Sequence, residues 1–392
     1  MDDHNRPNGA SVEDLGVCID LTSAALRRAG LGRYQSSLAR ALLDIGVPLT
    51  AFVHDVRASQ LRPPLSELRT HQYGRSLRRW RLRAAMSYVG APLDRTFPGV
   101  RLFHATDHLL PKLRRARSVF TLHDTAYVHH PEHYLPRNRI YLQRMVPRFL
   151  EHADRVIVVS EHARREAVGI YDLDPGRVDV IPEGVDERFR PDPDPTAVDA
   201  VRRRYGLPER SILYVGTIQP RKNLTTLLDA FARVREHHPD LALVVAGEKG
   251  WLFRSFFDRL RALGLGSSVV VTGHVPDEDL PALFGSAVVF AYPSLFEGFG
   301  LPPLEAMACG LPVVCSDATS LPEVVGDAGI LVPPLDVDAW VAALDRLLED
   351  PAAREDLRAR GLERARRFTW DEAARRTLDV YRAVTGIAPA SR

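Results

Sequence analysis

Two glutamates, Glu297 and Glu305, enclose a glycine-rich turn with the sequence E-G-F-G-L-P-P-L-E. The apolar residues 287–291 before this turn predict a buried strand. Pro302 and Pro303 suit the first turn of a helix, where a missing N–H has no intrahelical partner to lose. A glycine turn that opens a helix presents backbone amides to an anion, and carboxylates accept hydrogen bonds from sugar hydroxyls. The segment therefore predicts a site for a phosphate and a sugar.

A pair of cations lies at a second predicted strand end. Gly216 ends the apolar run 212–216, and Arg221 and Lys222 come just before a helix predicted over 224–237. Two cations beside a helix N-terminus can neutralise a diphosphate. An exposed basic pair at a helix start is the alternative, and the strand–glycine setting favours the binding site.

The first half of the chain contains a shorter glycine turn, Ala29-Gly-Leu-Gly-Arg-Tyr34, at the start of a predicted helix. It lacks the third glycine of a dinucleotide-binding fingerprint. Gly32 and Arg33 are candidate binding residues, and a tight turn that only begins the helix is the alternative.

His123 and Asp124 follow another predicted strand, 119–123, at its carboxyl end. Most histidines are structural, but this placement favours a functional role. Asp124 could orient the imidazole of His123 or cap the following turn. Ser160, after the next strand, we interpret mainly as a helix N-cap.

A histidine-rich segment, His129-His-Pro-Glu-His133, raises the question of metal binding. Its spacing is not a recognised ligand pattern, so we interpret these residues as exposed loop histidines. D-x-D patterns at 192–194, 277–279 and 336–338 occur in unrelated contexts, so they do not indicate a metal site.

Strands and helices alternate along the chain, and these elements must position the candidate residues. Short apolar runs predict strands at 15–21, 48–54, 101–104, 119–123, 155–160 and 178–182, and again at 212–216, 241–247, 269–273, 288–292, 312–316 and 330–332. Such runs with helices between them are typical of parallel sheets covered on both faces. We therefore expect an α/β fold of two doubly wound, Rossmann-like domains that face a cleft, with ligands at the carboxyl ends of the strands.

The expected domain boundaries follow from this pattern. We expect a first domain over 1–190 and a second over 206–369. The run of alternating Pro and Asp from residue 191 predicts a linker over 191–205. A helix predicted over 370–392 would pack back on the first domain.

Composition limits the class of protein. The chain has 392 residues, 45% hydrophobic and 26% charged, which is typical of a globular protein with two domains. Three cysteines are too few for a disulfide framework, and neither a signal peptide nor a membrane-spanning helix is predicted. We therefore expect a cytoplasmic protein.

The two halves differ in net charge: residues 1–185 contain 27 Lys/Arg and 20 Asp/Glu (+7), and the remainder contains 25 and 30 (−5). Arginines form clusters in the first half at Arg75-Ser-Leu-Arg-Arg-Trp-Arg-Leu-Arg83 and at 114–117. A basic amphipathic helix that contains Trp80 could lie on an anionic bilayer, at the inner face of the membrane. A solvated arginine-rich face is the alternative. No aromatic platform accompanies the charge, so we expect no nucleic-acid partner.

Four motifs in order resemble family-four retaining glycosyltransferases of the GT-B fold, and bacterial mannosyltransferase-like members above all. The motifs are G-T-I-Q-P-R-K-N-L (216–224), T-G-H-V-P-D-E-D-L (272–280), Y-P-S-L-F-E-G-F-G-L-P-P-L-E-A-M-A-C-G (292–310) and S-L-P-E-V-V-G-D-A-G (320–329). The resemblance is dense from about 212 to 334 and looser over the first domain.

The resemblance implies a role for each candidate residue. The second domain would bind a nucleotide-diphosphate sugar, and the first would bind the acceptor. Glu305 would hold the ribose hydroxyls, Glu297 would contact the donor sugar, and Arg221 and Lys222 would neutralise the diphosphate. The remaining donor contacts would come from Gly216, Val275 near the base, and the amides of Phe299, Gly300 and Leu301. His123, Gly32 and Arg33 would lie near the donor and the acceptor.

The implied activity is hexosyl transfer to an acceptor hydroxyl of a glycan or lipid-linked glycan, with retention at the anomeric carbon. GDP-mannose is mildly favoured as donor, and we expect neither a metal nor a cofactor. A nucleotide-sugar epimerase or a non-catalytic nucleotide-sugar-binding subunit on the same fold is the alternative. A dehydrogenase would need a G-x-G-x-x-G motif that the sequence does not contain.

Overall fold

The computed structural model describes residues 15–57, 60–74 and 76–387, and of Ala29 only the backbone. Arg75 of the basic segment and the outer ends of the predicted domains, 1–14 and 388–392, lie outside the described residues. Within the described residues, two parallel sheets of seven and six strands form the centres of two domains. The predicted doubly wound α/β fold is confirmed.

The first sheet has the order β3-β2-β1-β4-β5-β6-β7. Its strands are β1 (Val17–Asp20), β2 (Leu49–His54), β3 (Thr70–Tyr73), β4 (Leu102–Ala105), β5 (Arg117–Leu122), β6 (Arg155–Val158) and β7 (Val178–Val180). The second has the order β10-β9-β8-β11-β12-β13. Its strands are β8 (Ser211–Val215), β9 (Ala242–Ala246), β10 (Val269–Gly273), β11 (Val289–Tyr292), β12 (Val313–Ser316) and β13 (Ile330–Val332).

Helices cover both faces of each sheet. They are α1 (Thr22–Ala25), α2 (Ala29–Asp44), α3 (Leu77–Met86), α4 (Ala126–His129), α5 (Pro136–His152), α6 (Glu161–Tyr171), α7 (Pro195–Tyr205), α8 (Leu224–His237), α9 (Arg254–Ala262), α10 (Leu280–Gly285), α11 (Leu301–Ala308), α12 (Leu321–Val325), α13 (Val337–Glu349), α14 (Pro351–Ala365) and α15 (Trp370–Thr385). No helix among the described residues is long and apolar enough to cross a bilayer.

The strand order reverses between β1 and β4 in the first sheet and between β8 and β11 in the second. Ligands of open parallel sheets bind in the crevice that such a reversal opens beyond the strand ends. His123 follows β5, next to the first reversal, while Gly216 and Glu297 lie beyond the ends of β8 and β11. The topology thus brings the candidate residues of each domain to its ligand-binding edge.

The last helix, α15, packs against α2 and β5 of the first domain. The Tyr381 hydroxyl lies 2.7 Å from Nδ1 of His104, and both side chains are fully buried. A parallel β-bridge joins Val185 to Thr369, just before α15. The helix α15 is therefore anchored in the core of the first domain.

Two sequence interpretations differ from the structure. The predicted linker, 191–205, is extended only as far as Asp194, because Pro195–Tyr205 forms α7. Asp194 caps this helix by accepting a hydrogen bond from the Thr196 amide, and Pro195 suits its first position. The Tyr205 hydroxyl donates to Asp279 at 2.6 Å, so α7 is bound to the second domain. The sequence also gave no indication of β3, a polar edge strand.

The proposed orientation of Trp80 toward a membrane is wrong. Trp80 is completely buried, with its ring 4.9 Å from those of Phe52 and Tyr73. The arginines of α3 project from the helix while its tryptophan completes the core, so only the remaining surface of α3 can meet a membrane.

Candidate functional site

Glu297 is buried in the turn between β11 and α11, and four side chains donate hydrogen bonds to its carboxylate. The donors are Arg221 Nη1 at 3.0 Å, Tyr292 OH at 3.0 Å, Ser294 Oγ at 2.5 Å and Lys222 Nζ. Burial alone would raise the pKa of Glu297, but Arg221 and Lys222 lower it to about 2. Glu297 is therefore a carboxylate at neutral pH, held in one orientation.

Lys222 carries the charge that this ion cluster loses most easily as the pH rises. Its ammonium donates to Glu297 and, at 2.7 Å, to the Tyr292 hydroxyl. Burial lowers the pKa of Lys222 to about 8, although Glu297 favours the charged form. A bound anion beside Lys222 would raise its pKa again and keep the side chain as an ammonium. The cluster is therefore suited to an anionic ligand.

The turn that carries the two cations is fixed by Asn223. This residue has a left-handed φ of 54° and ends the short 3₁₀ turn Pro220–Lys222. Its side-chain amide donates to the carbonyls of Pro293 at 3.1 Å and Pro334 at 2.7 Å. Asparagine tolerates this backbone conformation, and its amide ties the turn after β8 to the segment after β11.

The glycines of the E-G-F-G turn allow two close approaches. Gly300 has φ of 125°, a region that only glycine adopts readily. A Cβ on Gly298 would lie 1.8 Å from the backbone oxygen of His123, so the turn contacts the first domain directly. Ser160 Oγ, in the first domain, donates to the Gly298 carbonyl at 2.7 Å. The turn is thus held between the two domains.

Backbone amides of this turn are free to bind a ligand. In the described part of the chain, the amides of Phe299 and Gly300 donate to no protein acceptor. Leu301 begins α11, so its amide has no intrahelical acceptor either. Ser320 Oγ holds the carbonyl of Phe299 at 2.7 Å, which fixes the orientation of these peptides.

Glu305 is also buried, on α11, and it is paired with Arg33 across the cleft. Arg33 Nη1 donates to Glu305 Oε1, and Nη2 donates to Asp277 at 3.0 Å. The second oxygen, Oε2, is buried and has no hydrogen-bond partner among the described residues. Burial raises the pKa of Glu305, and Arg33 only partly opposes it. An unpartnered buried acceptor is costly, and a ligand hydroxyl could satisfy it.

Three further predicted residues lie in the first turn of α2 and after the ends of β10 and β8. Gly32 allows α2 to approach α1, because a Cβ there would lie 2.7 Å from the Ser23 oxygen. Val275 is buried in the loop after β10, two residues before Asp277. Gly216 follows β8. Its carbonyl oxygen lies so close to Gly247 that a Cβ on Gly247 would be only 2.0 Å from this oxygen.

His123 lies at the edge of the cleft with its ring turned into the first domain. Nε2 lies 3.1 Å from the Thr106 carbonyl, an acceptor, so this nitrogen carries a proton. Nδ1 lies 3.7 Å from Oε1 of Glu183. Burial would lower the pKa of His123, but Glu183 and the Thr106 carbonyl raise it. These two acceptors favour the protonated form of the ring, and Nε2, which carries a proton, cannot act as a base.

Glu183 is a site residue that the sequence analysis missed. Glu183 is buried and lies just beyond β7. The predicted strand, 178–182, ended one residue before it. An acidic residue after the carboxyl end of a parallel strand is the signal that could have identified it. Asp124 caps the following turn by accepting from the Ala126 amide at 3.1 Å, which is one of its two predicted roles.

The N-terminus of α6 forms a second joint between the domains. Ser160 accepts a hydrogen bond from the Ala163 amide, so its predicted role as N-cap is confirmed. The Glu323 carboxylate, from α12, accepts from the amides of Glu161 at 2.8 Å and His162 at 2.7 Å. A carboxylate is favourable at a helix N-terminus, so this contact supports the closed cleft.

The interpretation of the histidine-rich segment as exposed is right for His129 but wrong for His130 and His133. His129 pairs with Glu166 and stacks on Phe296, with ring centroids 5.4 Å apart. His130 and His133 are half-buried and stack on each other. The ring of Phe296, from the second domain, lies against those of His129 and His130, so the segment is part of the contact between the domains.

The structure and sequence comparisons agree on a glycosyltransferase. The family described as "Glycosyl transferases group 1" matches residues 199–364, and the one described as "Glycosyltransferase Family 4" matches residues 28–189. The chain therefore belongs to the family-four, group 1 glycosyltransferases, and it is a hexosyltransferase. The epimerase and binding-subunit alternatives are not favoured.

Two curated relatives illustrate the sequence similarity. The O-antigen chain mannosyltransferase B of Escherichia coli is 37% identical over 287 residues, which cover 72% of this chain and 74% of the relative. The serotype-specific mannosyltransferase WbdA of Escherichia coli is 32% identical over 274 residues, which cover 68% of this chain but 33% of that longer relative.

Solved structures establish the fold as GT-B. Sucrose-phosphate synthase from Thermosynechococcus elongatus superposes with a TM-score of 0.74 at 24% identity and covers 95% of this chain and 99% of its own. WaaG, a glycosyltransferase involved in lipopolysaccharide biosynthesis, gives a TM-score of 0.71 at 18% identity, covering 93% and 99%.

The contact at Gly298 leads to a first prediction. Gly298→Ala places a methyl group 1.8 Å from the backbone oxygen of His123, which is far too close. The domains must therefore move apart or the turn must shift. Misplacing reacting groups by about 1 Å can cost about 100-fold in rate, so we expect sugar transfer to fall at least about tenfold. Small-angle scattering should show a larger radius of gyration.

Gly169→Ala is the matched control, because a Cβ at this helical glycine meets nothing within 4 Å. It should leave both the transfer rate and the scattering curve unchanged. A Gly298→Ala protein with the parental rate and the parental radius of gyration would contradict the role of this close approach.

Proposed function

We propose that the chain is a retaining mannosyltransferase that moves mannose from GDP-mannose to a hydroxyl of a glycan or lipid-linked glycan. The names of the mannosyltransferase relatives support this choice of sugar and acceptor. The observation that carries the proposed site is the unpartnered oxygen of the buried Glu305, on α11, the short helix that begins at the end of the E-G-F-G turn.

The nucleotide binds the second domain in this proposal. Oε2 of Glu305 accepts hydrogen bonds from the ribose hydroxyls, and the buried Val275 lies beside the base. Arg33 shares Oε1 of Glu305 or moves toward the phosphates when the donor enters. The proposed ribose contact thus removes the cost of an unpaired buried acceptor, which free protein bears.

The cation cluster stabilises the departing diphosphate. Negative charge develops on this leaving group, and Arg221, Lys222 and the amides of Phe299 and Gly300 are positioned beforehand to meet it. Fixed donors in a buried site need no reorganisation during the reaction. Because these groups can neutralise the diphosphate, we propose that transfer needs no divalent cation.

Glu297 orients the cations and contacts the donor sugar, but it is not a nucleophile. Two cations and two hydroxyls occupy its carboxylate, and its pKa of about 2 makes it a weak base. We therefore favour a front-face route, in which the leaving phosphate helps to deprotonate the acceptor hydroxyl. His123 contributes positive charge and holds the turn through its backbone, without removing a proton.

Peripheral membrane contact is a separate proposal that rests on the surface of α3 and its C-terminal turn. Leu82, Met86 and Val89 are 65%, 56% and 79% exposed, although all three are apolar. The first two are four residues apart on one helix face, and arginines at 78, 79 and 83 lie beside them. We propose that this face lies on an anionic bilayer, which would bring a lipid-linked acceptor to the first domain.

The donor site gives the second prediction. GDP-mannose should raise the melting temperature by mass action, and Glu305→Ala should remove most of this shift. Lys222→Ala should lower turnover by about 100-fold or more, as the loss of one preorganised transition-state donor does. Transfer by the parental protein should persist in EDTA.

Glu363→Gln, at an exposed glutamate of α14, is the control for charge removal. It should keep the thermal shift and the turnover of the parental protein. If UDP-glucose rather than GDP-mannose gave the shift, the proposed donor would be wrong. If Glu305→Ala kept the full shift, the proposed ribose contact would be wrong.

The pKa of Lys222 gives the third prediction. Because the pKa is about 8 in the free protein, the ammonium is lost as the pH rises through this value. We expect kcat/KM for the donor to fall above about pH 8, since this ratio depends on the free enzyme. The fall in kcat should begin at higher pH, because the bound diphosphate stabilises the ammonium.

Lys222→Arg tests this assignment, because arginine stays charged over the whole range. The variant should be slower but should lack the decrease near pH 8. An unchanged alkaline decrease in Lys222→Arg would assign it to another group.

The exposed face of α3 gives the fourth prediction. Full-length protein should co-sediment with vesicles that contain phosphatidylglycerol, and the double variant Leu82→Glu/Met86→Glu should not, because both apolar contacts become anionic. Leu335→Glu, at a leucine 69% exposed in the second domain, is the control and should sediment like the parent. Equal sedimentation of the double variant and the parent would exclude this face as the contact.

A further inference from the structure

Three potential metal ligands, His130, Glu132 and His133, lie together in the turn after α4. Oε1 of Glu132 is 3.4 Å from Nδ1 of His130 and 3.5 Å from Nε2 of His133. One ligand atom from each residue can be chosen so that all three lie within 4.8 Å of one another. The two imidazole rings are nearly parallel, with centroids 5.0 Å apart.

We propose that these three residues bind a divalent transition metal, with Zn²⁺ the best match. Zn²⁺ binds histidine nitrogen and carboxylate oxygen at about 2.0–2.2 Å, so the ligands of a tetrahedral site lie about 3.3–3.5 Å apart. Both measured separations from Glu132 have this value. The two rings now stack, so one imidazole must rotate out of the stack before both can direct an in-plane nitrogen at the same ion.

The donor set also distinguishes between metals. Two imidazoles and one carboxylate suit Zn²⁺ and its first-row neighbours, whereas Mg²⁺ and Ca²⁺ prefer oxygen ligands alone. Three protein ligands leave a fourth position for water. His129, next to this cluster, is not part of it, because its Nε2 is paired with Glu166.

The cluster lies where the first domain meets the second. Trp251, from the second domain, donates its indole N–H to the backbone carbonyl of His133. The ring of Phe296, the residue before Glu297, lies 6.0 Å from that of His130 and edge-on to it. A bound ion would fix the turn that both aromatic side chains contact, and so stabilise the closed arrangement around Glu297. It would not take part in sugar transfer.

Metal binding by the full-length chain tests the proposal. After treatment with EDTA and its removal, calorimetric titration with Zn²⁺ should show one tight site, and Co²⁺ should give visible d–d absorption. His130→Ala and His133→Ala should weaken Zn²⁺ binding at least about 100-fold, since even the loss of an outer-shell partner costs about 10- to 100-fold. Both variants should lose the Co²⁺ absorption.

Two histidine variants are controls. His129→Gln changes the adjacent histidine, and His237→Ala changes a histidine that lies beside Asp345 in the second domain. Both should bind Zn²⁺ like the parent. Circular dichroism should show that every variant is folded. Equal Zn²⁺ affinity in the parent, His130→Ala and His133→Ala would overturn the proposal, as would binding that His237→Ala abolishes.

Discussion

A buried carboxylate, Glu297, imposes the main constraint on this structure, because an ionised group in a protein interior needs partners. Arg221, Lys222 and two hydroxyls supply them, and loss of one partner of a buried ion pair typically costs about 3–5 kcal/mol. The cations follow β8, while Tyr292 ends β11, and these strands are neighbours at the reversal of the second sheet. The sheet order is therefore what allows the charges to meet.

The same turn also sets the distance between the domains. Gly298 is in contact with the His123 backbone, Ser160 donates to its carbonyl, and Arg33 reaches across to Glu305. Donor binding and domain closure are therefore coupled in the proposed mechanism, because Arg33 and the ribose would bind the two oxygens of one carboxylate, Oε1 and Oε2 of Glu305.

Apolar runs predicted twelve of the thirteen strands among the described residues, because strands buried on both faces must be apolar along their length. The polar edge strand β3 could not be found this way. The motifs predicted Glu297, Arg221 and Lys222 as parts of one donor site, and the structure brings them into direct contact. The Arg33–Glu305 pair and the partner of His123, Glu183, depend on tertiary packing of distant segments, which local spacing does not contain.

The difference in net charge between the two halves of the chain corresponds to ion pairs across the closed cleft. Arginines of the basic first domain pair with acids of the second: Arg33 with Asp277 and Glu305, Arg62 with Glu278, and Arg165 with Glu323. The last two pairs are largely exposed and contribute little in salt solution, whereas Glu305 is buried. Closure therefore depends mainly on the Arg33–Glu305 pair, the Gly298 contact and the Glu323 cap of α6, while the exposed arginine pairs favour the correct approach of the two surfaces.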